Sequence, residues 1–126
     1  MAKAILIRLI YAVTGKRYVI GDIHGCAGHL QILLAILQKQ MNPKTDRVIF
    51  LGDYIDKGPN SKLAIDLLLR FAESFPCIFL KGNHDACFVP WRERKGSLKM
   101  GGIHTINSYR VDGQIVYPTA KKKFLQ

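Results

Sequence analysis

The sequence predicts a single α/β domain whose core is a parallel sheet with the element order βαβαβ. Three short apolar runs are rich in β-branched and aromatic residues, which is typical of strands covered on both faces. Two segments with apolar residues at helical spacing lie between these runs. The polar residues that follow the runs, Asp22, Asp53 and Asn83, are 31 and 30 residues apart, about the length of one βαβ unit.

The composition is that of one folded chain. Its 126 residues are 48% hydrophobic and 22% charged, which excludes collagen-like, coiled-coil and wholly disordered proteins. The net charge of +10 favours an anionic partner, but the basic residues are dispersed and form no nucleic-acid motif, so a nucleic-acid-binding module is the weakest hypothesis. Three cysteines without CxxC spacing indicate neither a disulfide framework nor a structural zinc site, and we expect a cytoplasmic protein.

Residues 1–16 form an apolar leader whose role the sequence leaves open. Residues 4–13 are apolar apart from Arg8, and the stretch is too short to span a membrane. We expect an extra strand, a short helix or a non-native start there, with no export signal and no membrane partner. The predicted domain occupies residues 17–126.

The strands are predicted at residues 18–20, 48–51 and 78–80. The first helix is predicted to end before the Asn-Pro pair at 42–43. Its apolar residues at helical spacing are Leu30, Leu33, Leu34, Leu37 and Met41. Asn60 or Ser61 is expected to cap the second helix. One face of that helix is apolar, and it carries Ile65, Leu68, Leu69 and Ala72. Beyond residue 86 the pattern weakens to a basic loop over 91–102, a short helix or strand over 103–109, and a polar tail.

Polar loops follow all three strands and should meet, because the carboxyl ends of parallel strands open on the same edge of a sheet. Asp22 and His24 are two residues apart, so in an extended segment both point to the same side. Each loop alone could be an ordinary turn. Together their carboxylate, imidazole and amide groups, without cysteine, suit Mn²⁺, Fe or Zn²⁺. Asp53 lies on the central loop and could bridge two cations about 3.5–4 Å apart, the spacing of two-metal phosphoester hydrolysis.

Three short motifs carry a resemblance to a known family. The sequences GDIHG at 21–25, GDYIDKGP at 52–59 and GNHD at 82–85 resemble the N-terminal signatures of the phosphoprotein phosphatase branch of the calcineurin-like metallophosphoesterases. The likeness extends from residue 17 to about 117. Trp91 and residues 101–109 resemble the bacterial members, which include small Ser/Thr phosphatases and symmetrical diadenosine tetraphosphate hydrolases. The implied fold is the N-terminal half of an αββα sandwich.

The resemblance also implies the metal ligands. It assigns Asp22 and His24 to a first metal ion, Asp53 to a bridge and Asn83 to a second metal ion, with Mn²⁺ preferred. A hydroxide shared by two such ions would attack phosphorus in line with the leaving oxygen.

Further positions match the family's catalytic and substrate-binding residues. His84, oriented by Asp56, would protonate the leaving oxygen. Asn83 and Lys57 would bind the phosphoryl group, with Lys57 standing where the family usually has Arg. A lysine acts there as a point charge rather than a bidentate clamp.

Family members continue with a second sheet and two further metal-binding histidines, for which His29 and His104 are poor substitutes. We therefore expect a weak second metal site and an uncovered apolar sheet face, through which the chain could self-associate. The first hypothesis is a protein Ser/Thr phosphatase-like hydrolase of phosphorylated substrates. The alternatives are a diadenosine tetraphosphate hydrolase and a non-catalytic remnant that keeps a partial metal site.

Overall fold

A computed structural model describes residues 15–92 and 102–115, with the side chains of 89–92 left out. Three strands are present in the first segment: β1 (Arg17–Ile20), β2 (Arg47–Phe50) and β3 (Cys77–Phe79). The helices of that segment are α1 (Ala27–Gln40), α2 (Ser61–Ala72) and α3 (Asn83–Arg92). The second segment contains α4 (Gly102–Ser108) and the short strands β4 (Arg110–Val111) and β5 (Gln114–Ile115).

The sheet confirms the predicted fold class. Its strands run parallel in the order β1-β2-β3, and α1 and α2 form the two crossovers. The register aligns Ile20 with Phe50 and Phe50 with Phe79. Val48 and Phe50 are completely buried, and the helices contribute a buried set to the same core that includes Leu30, Leu34, Leu37, Ala64, Ile65, Leu68 and Phe71. The three predicted strands lie within one residue of their observed positions. The prediction that they are covered on both faces was wrong for the described residues, because Val19 and Ile78 are exposed.

The two crossover helices begin and end close to the predicted positions. Asn60 is the N-cap of α2, and its side chain accepts a hydrogen bond from the backbone N–H of Leu63 at 2.9 Å. The buried face of α2 is rotated from the predicted one, since Ala64 and Phe71 are buried whereas Leu69 and Ala72 are only half-buried.

Two later elements were not predicted. Helix α3 begins directly after β3, with the N–H of Ala86 donating to the carbonyl of Gly82 at 3.0 Å. Strands β4 and β5 form a hairpin whose turn residues Asp112 and Gly113 both have positive φ, 49° and 79°. This is the Asp-Gly signature of a type I′ turn. The sequence does not decide between helix and strand for the segment 103–109, and the structure shows that this segment is helical as far as Ser108. Most of the predicted basic loop lies outside the described residues.

The second face of the sheet carries exposed apolar side chains in the described part of the chain. Val19 aligns with Ile49 and Ile49 aligns with Ile78 across the three strands, and Val19 and Ile78 are 58% and 42% exposed. Self-association through this face stays a prediction, which sedimentation at several protein concentrations tests.

No helix within residues 15–92 or 102–115 has the length and apolarity needed to cross a bilayer. The leader is described only from residue 15 onward, and the tail only as far as residue 115.

Candidate metal centre

The loops that follow β1 and β2 are joined by backbone hydrogen bonds at the carboxyl edge of the sheet. The N–H groups of Ile23 and His24 both donate to the carbonyl of Asp53, at 3.0 and 2.9 Å. The N–H of Gly58 donates in return to the carbonyl of His24 at 2.8 Å. These bonds fix the first two motifs against each other before any side chain is considered.

The third motif approaches the second so closely that glycine is required. A Cβ atom on Gly82 would lie 2.0 Å from Oδ1 of Asp53 and 2.4 Å from its backbone nitrogen. Gly52, at φ 108°, would place a Cβ atom 2.2 Å from the nitrogen of Gly82. The glycines of these motifs therefore allow Asp53 to lie directly against the start of α3.

Four non-glycine residues of the first two motifs have left-handed backbone conformations. They are His24, Asp53, Asp56 and Lys57, with φ values of 45°, 53°, 70° and 62°. Such residues are uncommon, and a cluster of them is typical of functional sites held by the surrounding structure. His24 turns the chain rather than extending it, and Oδ2 of Asp22 still lies 3.4 Å from Nε2 of His24.

Three side chains converge at this edge with ligand atoms within 4.8 Å of one another. They belong to His24, Asp53 and His84. Nδ1 of His24 lies 2.9 Å from the carbonyl oxygen of Ile55, which can only accept, so Nδ1 carries a proton and the lone pair of the neutral ring is on Nε2. The imidazole of His24 and the carboxylate of Asp53 are donors that suit a divalent transition metal, and the imidazole of His84 lies beside them.

Asp53 is held by the start of α3. Its Oδ1 accepts a hydrogen bond from the backbone N–H of His84 at 2.9 Å. The side-chain amide nitrogen of Asn83, in the orientation that satisfies its neighbours, lies 3.2 and 2.9 Å from the two carboxylate oxygens of Asp53. Asn83 is therefore beside Asp53, as the motif spacing predicts.

Asp22 and Lys57 lie at the exposed rim of this cluster. The side chain of Asp22 is 66% exposed, and its Oδ2 is 3.4 Å from Nε2 of His24. Nζ of Lys57 is 3.2 Å from the same nitrogen. Both side chains therefore reach His24 from solvent. His29 and His104 are exposed on α1 and α4 and do not belong to the cluster.

Asp56 and His84 form a buried pair beside the cluster. Asp56 is 1% exposed and His84 is 4% exposed, and Nδ1 of His84 lies 2.9 Å from Oδ2 of Asp56. With its Nδ1 side occupied by Asp56, His84 presents Nε2 as its second ring nitrogen.

Asp85 is a structural residue of the site, and the motifs assign it no role. It is 1% exposed and accepts backbone N–H bonds from Asp53 at 2.7 Å, Gly82 at 2.9 Å and Tyr54 at 3.1 Å. Burial raises the pKa of this carboxyl despite those bonds. The GNHD motif contained this signal, since an acid in the first turn of a helix accepts from nearby N–H groups.

Negative charge is concentrated at this edge of a basic chain. The chain has nine acidic residues, and four of them, Asp22, Asp53, Asp56 and Asp85, lie in these motifs. A cation is therefore favoured there although the net charge of the whole chain is +10.

Comparison with known proteins finds a matching family profile and several relatives. The sequence profile of the calcineurin-like phosphoesterases matches residues 15–122. A symmetrical bis(5'-nucleosyl)-tetraphosphatase of Pseudomonas syringae pv. syringae is 36% identical over 84 residues, which cover 67% of this chain and 28% of the relative. Proteins of the same name from Erwinia tasmaniensis and Coxiella burnetii are 46% and 44% identical over 70 residues, 54% of this chain and 23% and 22% of theirs.

The chain thus spans about a quarter of the length of the curated relatives it matches. No solved structure matches it.

Proposed function

Because the chain belongs to the calcineurin-like phosphoesterase family, we propose that it carries the N-terminal part of the active site of a metal-dependent hydrolase of phosphoric esters or anhydrides. The observation that supports this most directly is the convergence of His24, Asp53 and His84 within 4.8 Å. The relatives are about four times as long as the matched segment, so the activity of the whole protein is part of the proposal.

The proposed metal ligands are Asp22, His24, Asp53 and Asn83. His24 and Asp53 are the inner pair. An ion at Nε2 of His24 would displace the exposed ammonium of Lys57, which lies 3.2 Å from that nitrogen. The Asp53 carboxylate has lone pairs beyond those that accept from the N–H of His84 and the amide of Asn83. A divalent ion, for which Mn²⁺ is our first choice and Fe or Zn²⁺ the others, would lower the pKa of a water and neutralise charge on the phosphoryl oxygens. A second ion, held by Asp53 and Asn83, would bind weakly with so few ligands.

His84 is the proposed proton donor to the leaving oxygen. Its Nδ1 faces the Asp56 carboxylate, so the proton on that nitrogen is held by Asp56 and Nε2 is the atom that delivers a proton. Asp56 fixes the ring orientation and favours the imidazolium that forms. Asn83 donates its amide hydrogens, and the exposed ammonium of Lys57 supplies a positive charge for a phosphoryl oxygen.

The names of the relatives favour a nucleotide substrate over a phosphoprotein. Each of the reported relatives is a symmetrical bis(5'-nucleosyl)-tetraphosphatase. The phosphoprotein hypothesis from the sequence motifs is retained as the second candidate, because the same metal and proton-donor chemistry hydrolyses a phosphoserine ester.

The proposed function is tested with the purified chain, Mn²⁺, p-nitrophenyl phosphate, diadenosine tetraphosphate and a phosphoserine peptide. We expect Mn²⁺-dependent turnover, and the preferred natural substrate distinguishes the two candidates. Asp53→Asn should weaken Mn²⁺ binding, measured by calorimetry, by about tenfold or more. Loss of a residue that only hydrogen-bonds to a metal ligand commonly lowers metal affinity by about 10–100-fold, and loss of a ligand itself should cost at least as much.

Asp66→Asn is the matched control, since Asp66 pairs with Lys62 on α2 at 2.8 Å, away from the loops. Equal effects of the two substitutions on Mn²⁺ binding would contradict the proposed site. Absence of Mn²⁺-dependent turnover of all three substrates would contradict catalysis by this chain.

A further inference from the structure

Thr105 connects α4 to the buried Asp56–His84 pair from 49 residues away in the sequence. Its side chain is completely buried, and its Oγ1 lies 2.5 Å from Oδ1 of Asp56. The backbone N–H of Asp56 donates to the same hydroxyl at 2.9 Å. Thr105 therefore contacts Asp56 through both its carboxylate and its main chain.

The hydrogens of this cluster can be assigned from the donors available. The single hydroxyl proton of Thr105 is donated to Oδ1 of Asp56, so its two lone pairs accept. One accepts from the N–H of Asp56, and the other accepts from the hydroxyl of Ser61, whose Oγ is 3.1 Å away. The hydroxyl of Thr105 thus uses its proton and both of its lone pairs. Both oxygens of the Asp56 carboxylate are also occupied, Oδ1 by Thr105 and Oδ2 by His84.

We propose that Thr105 is a positioning residue for the proton donor: its hydroxyl fixes the rotation of the Asp56 carboxylate, and the carboxylate fixes the ring of His84. The proposal deepens the proposed function, since it rests on His84 acting as proton donor. Asp56 has a left-handed backbone at φ 70°, and its carboxylate is buried, so loss of its Oδ1 partner leaves an acceptor unpaired. The carboxylate would then rotate toward other donors and release Nδ1 of His84.

A simple structural role of Thr105 can be separated from this positioning role. Helix α4 is tied to the start of α2 by a second hydroxyl, because Oγ of Ser108 accepts from the N–H of Lys62 at 3.0 Å and donates to the carbonyl of Thr105 at 2.6 Å. Ser108 does not touch Asp56 in the structure. Ser108→Ala therefore loosens the docking of α4 without changing the carboxylate, and it is the matched control.

The first experiment is proton NMR of the histidine ring N–H groups, which needs no turnover. In the wild-type chain we expect a slowly exchanging Nδ1–H signal from His84, assigned by its loss in His84→Gln. Thr105→Val should broaden or remove this signal, whereas Thr105→Ser and Ser108→Ala should keep it. A signal that persists in Thr105→Val, or that is lost equally in Ser108→Ala, overturns the proposal. If the valine variant does not fold, Thr105→Cys, a weaker donor, should shift the signal, and an unchanged signal again overturns it.

The second experiment compares two leaving groups. A positioned general acid contributes about 10²–10⁴-fold, and its contribution is largest for basic leaving oxygens. Thr105→Val should therefore reduce kcat for phenyl phosphate by roughly tenfold or more, and reduce kcat for p-nitrophenyl phosphate much less.

A double-mutant cycle with His84→Gln should remove this difference, because the two residues act in series. Equal losses on both esters would overturn the positioning role. A wild-type chain without turnover would refute the proposed function alone, and the NMR result would still decide the role of Thr105.

Discussion

Replacing Gly82 by alanine should damage the metal centre through a single methyl group. The new Cβ atom would lie 2.0 Å from Oδ1 of Asp53, 2.6 Å from its Cγ and 2.4 Å from its backbone nitrogen. Since a backbone atom is among these contacts, rotation of the Asp53 side chain cannot relieve all of them. The loop and α3 must separate by about 1 Å or more, whereas a metal ligand must lie within about 0.2 Å of its ideal distance.

The magnitude follows from these two lengths. A ligand displaced by that much is lost, which should weaken Mn²⁺ binding by about tenfold or more, or about 1.4 kcal/mol or more. The overpacked contact should also lower the free energy of unfolding by about 1–3 kcal/mol. Calorimetric titration with Mn²⁺ and urea denaturation measure the two effects on the same preparation.

Two other glycines serve as controls for Gly82→Ala. A Cβ atom on Gly28, in the exposed part of α1, or on Gly21, beside Asp22, would meet no atom within 4 Å. Gly28→Ala should stabilise the chain by up to about 1 kcal/mol, because alanine is the better helix former. Both controls should bind Mn²⁺ as the wild type does. Unchanged Mn²⁺ affinity in Gly82→Ala would refute the inference that close contact with α3 holds the Asp53 carboxylate as a ligand.

Four further substitutions test the fold. Leu68→Ala should lower the free energy of unfolding by about 2–5 kcal/mol, and Leu63→Ala, at a 38% exposed position on the same helix, by far less in the same urea titration. Asn60→Ala should cost about 1 kcal/mol in that assay through loss of the helix cap. Hydrogen bonds from the N–H groups of residues 42 and 16 hold the pKa of the Asp46 carboxyl below the ordinary value for aspartate. The stabilisation by this carboxylate is therefore complete above the ordinary pKa and is lost as the pH falls through the lowered pKa. Asp46→Asn should accordingly lower the melting temperature at pH 7, and the difference from wild type should shrink on acidification; a constant difference would contradict this linkage.

The sheet and the meeting of its loops could be predicted because they depend on local signals and one rule of topology. The apolar runs mark the strands, helical spacing marks α1 and α2, and right-handed parallel crossovers bring the carboxyl ends of the strands to one edge. The prediction that Asp53 and Asn83 lie together needed only this rule. The direction of each side chain could not be predicted, because it depends on left-handed residues such as His24 that no local pattern marks.

Long-range hydrogen bonds could not be predicted from the sequence pattern, for a different reason. Thr105 and Asp56 are separated by 49 positions, and a threonine within a short helix has no feature that indicates its partner. Asp85 is ambiguous in the same way, since an acid at a helix start can face solvent or accept buried N–H groups. The pairing of such residues is decided by packing between α4, α3 and the loops, which periodicity does not describe.

The geometry of the site is held both by local turns and by helices that are distant in the sequence. Glycines and left-handed residues bring the first two loops together at a conformational cost, and isolated residues of this kind would relax. Helix α3 opposes this relaxation through Asp85, which accepts from the N–H groups of Asp53 and Tyr54, and α4 opposes it through Thr105. Removing the Asp85 carboxylate takes this acceptor from two buried N–H groups, at about 1–3 kcal/mol each. Removing the Thr105 hydroxyl leaves the N–H of Asp56 with its longer bond to Oγ of Ser61, at 3.1 Å. The geometry of the proposed metal centre therefore depends on two helices that contribute none of the inner ligands, His24 and Asp53.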